Sequence, residues 1–73
     1  MDYMVSYYVG TDRDCQKWFD NYKSAYEFAR QQWESLDKNT RENYVNNGWQ
    51  TCIVDYEHLD EYGDPTGICF NYY

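Results

Sequence analysis

Residues 22–36, YKSAYEFARQQWESL, decide the fold. Tyr22, Ala25, Tyr26, Ala29, Trp33 and Leu36 stand at i, i+3, i+4, i+7, i+11 and i+14, one stripe of a 3.6-residue period. Such a stripe predicts an amphipathic helix over Tyr22 to Leu36 that needs an apolar sheet face beneath it. Asp20 or Asn21 suits the N-cap, and Ser24 with Glu27 forms a further S-x-x-E box one turn in.

Upstream of the helix, Tyr3, Val5, Tyr7 and Val9 alternate with Met4, Ser6 and Tyr8. That period of two predicts a first strand from Tyr3 to Val9 with the former set inward. Gly10 to Asp14 has turn composition, and Cys15 to Phe19 returns as a second strand. Trp18 and Phe19 then fall on opposite faces, and alternation alone does not choose which one enters the core. Downstream, Thr40 to Asn46 reads as a short helical turn anchored by Tyr44 and Val45 and closed by Asn47-Gly48 in a left-handed C-cap.

Trp49 to Glu57 is the third predicted strand and Gly67 to Tyr72 the fourth, with Gly63-Asp64-Pro65 marking the turn between them. Facing residues of an antiparallel pair have a constant sum. An even sum, about 126 or 128, sets Val54 and Tyr56 on one face with Ile68, Phe70 and Tyr72. The opposite face then shows Ile53, Asp55, Glu57, Cys69, Asn71 and Tyr73. An odd sum would set Asp55 and Glu57 among the rings, where unpaired carboxylates cost several kcal/mol each, so the even register with an odd-length loop is expected. The fold class that follows is α+β. It is a single compact domain over residues 1–73, a four-stranded antiparallel sheet in β-β-α-β-β order with one main helix on one face.

Composition narrows the function classes. Ten Tyr, three Trp and three Phe supply large buried areas for a chain near the lower size limit of a single core. That is more rings than such a core can hide, so some Tyr must meet solvent or a partner. The net charge of −7 is uneven: residues 1–41 hold seven acids and all six bases, residues 42–73 six acids and no Lys or Arg. A field of that sign repels phosphate, so direct binding to nucleic acid or to an anionic membrane is not expected. Cys15, Cys52 and Cys69 are odd in number and lack C-x-x-C spacing, from which neither a disulfide framework nor a zinc site follows. Met1-Asp2-Tyr3-Met4 has no basic region leading into an apolar run, and a reduced, cytoplasmic setting is expected.

Five carboxylates, Asp55, Glu57, Asp60, Glu61 and Asp64, lie within ten residues, interleaved with Tyr56, His58 and Tyr62. Their order fails the calcium-loop pattern D-x-[DN]-x-[DN]-G-x5-E, and Asp12-x-Asp14 is too short to close a site, so no metal is expected. His58 beside acids could serve as a general base with a cysteine nucleophile, but there is no glycine-rich phosphate loop and little chain for a substrate cavity. No catalytic residue, cofactor or enzymatic activity is expected. Asp55 and Glu57, about 6.8 Å apart on one strand face, would display charge in a row. Charged tips of this kind also serve simply to discourage sheet aggregation, yet ordinary surfaces intersperse both signs.

The expected function is therefore a small acidic inhibitor that mimics nucleic acid. Its partner would be a basic protein, a nucleic-acid-binding enzyme, whose binding surface it blocks. The contact residues would be Asp55, Tyr56, Glu57, Asp60, Glu61, Tyr62, Asp64 and Tyr73. In size and charge the chain resembles, as a class, the DNA-mimicking anti-CRISPR and anti-restriction proteins of phages and mobile elements, and the immunity proteins of nuclease toxins. That resemblance implies an anti-defence role and rests on no shared motif. The alternative is a self-associating structural or accessory domain, a homodimer formed through an open, tyrosine-bearing sheet face.

Overall fold

The computed structural model describes residues 1–8 and 14–73. The expected end of the first strand at Val9, the turn from Gly10, and Asp12 and Arg13 lie outside the described residues. The elements are β1 (Tyr3–Tyr8), β2 (Asp14–Phe19), α1 (Tyr22–Glu34), α2 (Lys38–Asn47), β3 (Cys52–Leu59) and β4 (Pro65–Cys69). The strands form one antiparallel sheet in the order β2-β1-β3-β4. The α+β class and the four-stranded antiparallel sheet are as the sequence predicts.

Helix α1 forms where the apolar stripe is written. Asn21 caps it, its side-chain oxygen accepting the Ser24 N–H at 2.9 Å, which satisfies one of the donors left open in a first turn. Ala25, Ala29 and Trp33 are fully buried. The two alanines let the helix axis approach the sheet, and Trp33 fills the space beyond them against Tyr3, Val5, Ile53, Tyr44 and Phe70. Tyr22 and Tyr26 sit at the margin of the stripe, their rings edge-on to Tyr3 at 6.0 Å and to Phe70 at 5.8 Å. Between β2 and the helix, Phe19 packs on Phe28 with centroids 5.4 Å apart, so Phe19, not Trp18, joins the core.

The helical turn expected at 40–46 is a full helix. Asp37 accepts the Thr40 N–H at 2.7 Å and starts α2 ahead of the expected Thr40, while Gly48, at φ 75°, ends it in the left-handed conformation that glycine adopts without strain. Tyr44 is buried and Val45 half-buried, as anchors.

The register of the last hairpin corrects the expected one. Cys52 faces Cys69, Ile53 faces Ile68, Val54 faces Gly67 and Asp55 faces Thr66, an odd sum. Ile53 is therefore the inward residue, 1 % exposed, and Val54 and Tyr56 belong to the open face with Cys69. The close fit of the strands shows at Gly67, where a Cβ would lie 2.3 Å from the Ile53 carbonyl oxygen. Parity changes only near the tip. A bulge between Asp55 and Leu59 shifts the pairing so that Leu59 faces Pro65, and the loop beyond it is residues 60–64, odd in length as expected. An odd register is costly only where a carboxylate on the helix side stays unpaired. The bulge supplies its partners.

Two further corrections follow from that register. Phe70 donates its N–H to Thr51 O at 3.0 Å, so the neighbouring Cys52–Cys69 pair is of the non-hydrogen-bonded, close-approach kind. Its Cα atoms are 4.0 Å apart and the two cysteines form a disulfide, which the odd cysteine count had argued against. Nor does the fourth strand run to Tyr72. It ends at Cys69, and residues 70–73 turn across α1: the Trp33 indole N–H donates to Tyr72 O at 2.9 Å, and the Tyr72 hydroxyl donates to Glu34 at 3.0 Å. The Arg41 guanidinium ties both Leu36 O and Tyr73 O.

Candidate functional site

The acidic hairpin is built by its own carboxylates. One oxygen of Asp55 accepts the N–H groups of Glu57 at 2.9 Å and His58 at 3.1 Å, and the other lies 2.8 Å from His58 Nδ1. These three contacts close the bulge. Asp60 does the same for the loop: one oxygen accepts the N–H groups of Tyr62 at 2.8 Å and Asp64 at 3.0 Å, while Asp60 N–H donates to Asp64 O at 2.8 Å. Gly63, at φ 81°, supplies the left-handed step of that turn. Thr66 Oγ1 donates to His58 O at 2.8 Å and joins the strands just below the tip.

The five carboxylates thus divide by role. Asp55, its side chain 16 % exposed, and Asp60 organise the backbone. Glu57 accepts the Tyr3 hydroxyl proton at 2.5 Å, which pushes the Tyr3 phenol up to about 12, burial adding to the effect. Glu61 and Asp64 point outward with no ion pair among the described residues. Tyr62, 81 % exposed, stands beside them. Of the other expected contact residues, Tyr56 lies on the open sheet face, stacked on Trp18 with centroids 5.3 Å apart. Tyr73 lies beyond the opposite end of β4 near Arg41 and does not join the tip.

Among the described residues no Lys or Arg pairs with any of these acids. Arg30 pairs with Glu34 along α1, and Lys17 holds its ammonium 4.7 Å from the Phe28 ring centroid on the helix side. The hairpin's one conditional cation is His58. Burial works against the Asp55 carboxylate, but the hydrogen bonds from the His58 imidazole and from the His58 and Glu57 N–H groups overcome it and hold its pKa below the ordinary value. The same hydrogen bond and the Asp55 charge raise His58. The pair's support of the bulge is full below the ordinary histidine value and fades as pH rises through the raised one. At the acid end it is lost as pH falls through the depressed Asp55 value. A proton NMR titration should find His58 above 6.5 and returning toward that value in Asp55→Asn. A His58 titration that Asp55→Asn leaves in place would show that the contact does not hold in solution.

A shallow groove of about 280 Å³ on α1 is lined by Glu27, Arg30, Gln31 and Glu34, a mixed-sign surface. Among the described residues no three His, Cys, Asp or Glu side chains come together as a metal site, and no helix is long and apolar enough to cross a membrane. His58 and Trp18 are the residues whose part in the site the sequence hid. The Asp55-x-x-His58 spacing is a usable signal only once a bulge is known, and Trp18 needed the choice between it and Phe19. No protein-family model, no curated protein and no solved structure matches the chain.

Proposed function

We propose that the protein is a small acidic docking protein that occupies a basic, normally nucleic-acid-bound surface of another protein and blocks it, an anti-defence inhibitor of the anti-CRISPR or anti-restriction kind. One observation carries the reading. Glu57, Glu61 and Asp64 are displayed on a hairpin held by internal hydrogen bonds, and no Lys or Arg among the described residues neutralises them. Surface acids normally have cations interspersed, which quench the field within about 8 Å at physiological salt. Acids on a firmly held turn without them present charge to a cationic cleft at little ordering cost. A target of that kind is cytoplasmic, where the Cys52–Cys69 bond, contrary to the reduced cysteines expected, is exposed to reduction.

The test is retention on the immobilised protein at low salt from an extract of its host. A basic nucleic-acid enzyme should be held and then released by duplex DNA or by about 1 M salt, where the Debye length shrinks to about 3 Å. The double variant Glu61→Lys, Asp64→Lys should weaken that binding about tenfold or more while melting like the wild type. Retention indifferent to salt, to DNA and to the reversal would sink the proposal. A second reading, self-association, is favoured by the Trp18–Tyr56 stack, each ring 42 % exposed on the open face. It calls for a salt-insensitive dimer that dissociates in Tyr56→Lys. Ile53, which the even register would place on the open face, is core and takes no part in that surface.

A further inference from the structure

The open side of the sheet has a small apolar layer of its own. Met4 is 7 % exposed yet stands outside the cluster under α1. The register sets Trp18 directly across from it on β2 and Val54 on β3, with Tyr56 two residues further along. Trp18 and Tyr56 stack with an interplanar angle of 29° and so roof the Met4 row while keeping a ring face toward solvent. At the far end of β1, Tyr8 meets the rings of Tyr44 and Trp49 at 6.3 and 6.1 Å and packs against the core, so that end is closed and the Trp18 end is open.

Among the described residues, charge on this side has one sign. Asp14 faces Tyr8 and accepts the Ser6 hydroxyl proton at 3.2 Å. Asp2, exposed, is fixed beside Tyr56 by the Tyr56 N–H donating to its carbonyl oxygen at 2.8 Å. The strand lysine, Lys17, faces Val5 on the helix side. Electron-rich ring faces with a carboxylate beside them match a guanidinium better than an ammonium, since arginine stacks flat on an aromatic plane and pairs its edge with an acid. A second copy of this chain would bring the same acids against themselves.

We propose that the open sheet face, centred on the Trp18–Tyr56 stack and bordered by Asp2, is a second docking surface, one that takes arginine side chains of a basic protein partner. It rests on the docking reading above for the sign of the partner only. The probes are an oligo-arginine and an oligo-lysine peptide of equal length, titrated at low salt into the isotope-labelled full chain and followed by NMR. The arginine peptide should bind roughly two- to fivefold more tightly than the lysine peptide and should shift the Trp18 indole N–H. Trp18→Leu, and separately Tyr56→Leu should one of them fold poorly, should reduce arginine affinity to the lysine level. Glu61→Lys with Asp64→Lys should weaken both peptides alike.

Equal affinities with an unmoved Trp18 indole overturn the second surface and leave the hairpin reading standing if the tip reversal still weakens both peptides. A moved Trp18 with no effect of the tip reversal supports this surface and removes the hairpin. Binding of neither peptide overturns both. A concentration-dependent dimer lost in Trp18→Leu overturns the arginine assignment in favour of a second copy.

Discussion

Replacing Trp33 by Ala should lower the melting temperature by at least about 12 °C and leave little folded protein at 37 °C. A domain of 73 residues has a net stability on the order of 4–11 kcal/mol, and emptying a fully buried Trp site costs about 3–5 kcal/mol. For a domain this small each kcal/mol moves the midpoint by about 4–8 °C. Trp33 has no exposed surface, and its indole N–H also holds residues 70–73 across α1 through Tyr72 O. Trp33→Phe separates the two roles. It keeps most of the ring volume and loses the hydrogen bond, so it should lie about 1–2 kcal/mol below wild type with the last residues opened to carboxypeptidase. A shift in Trp33→Ala of only a few degrees would mean that Trp33 is not the centre of the packing.

The Cys52–Cys69 bond carries the second large effect. It closes a loop with a sequence separation of 17, and restricting the unfolded chain over such a loop is worth about 3 kcal/mol in the chain-entropy account. Reduction, or the paired change Cys52→Ser and Cys69→Ser, should lower the melting temperature by roughly 10–20 °C. Hydrogen exchange should quicken first at Ile53 and Ile68, the pair next to the bond, which closes the end of the ladder away from the acidic tip. Oxidised and reduced protein melting together would show that the strands hold their register without it. If the docking reading is right, the reduced protein should still bind a cationic partner, more weakly, because Asp60 and Asp55 hold the tip without help from the disulfide.

What the sequence disclosed and what it hid divide by the range of the interaction. Asn21, Ala25, Ala29 and Gly48 act through neighbours within one or two helical turns, so periodicity and capping chemistry located α1 and the end of α2 directly. The hairpin register is set between distant residues. The even sum followed from the premise that strands pair without interruption and that Asp55 would lack partners. Asp55 instead uses the amides that its own bulge exposes, a local solution with no trace in alternation. Once Ile53 rather than Val54 points inward, Cys52 and Cys69 meet, so the missed disulfide and the wrong face are one error. The acidic tip was legible as composition. Which acids are spent on the backbone, Asp55 and Asp60, and which remain outward, Glu61 and Asp64, could be seen only with the turn in hand.

The strand order β2-β1-β3-β4 also dictates how the molecule bears tension. β1 and β4 are each antiparallel to β3 and therefore run parallel to one another, so the start of β1 and the end of β4 lie at opposite ends of the sheet. Stretching the chain from those two points drags β1 lengthwise past β3. The cross-strand hydrogen bonds then stand perpendicular to the load and yield together rather than one at a time, a shearing rather than an unzipping geometry.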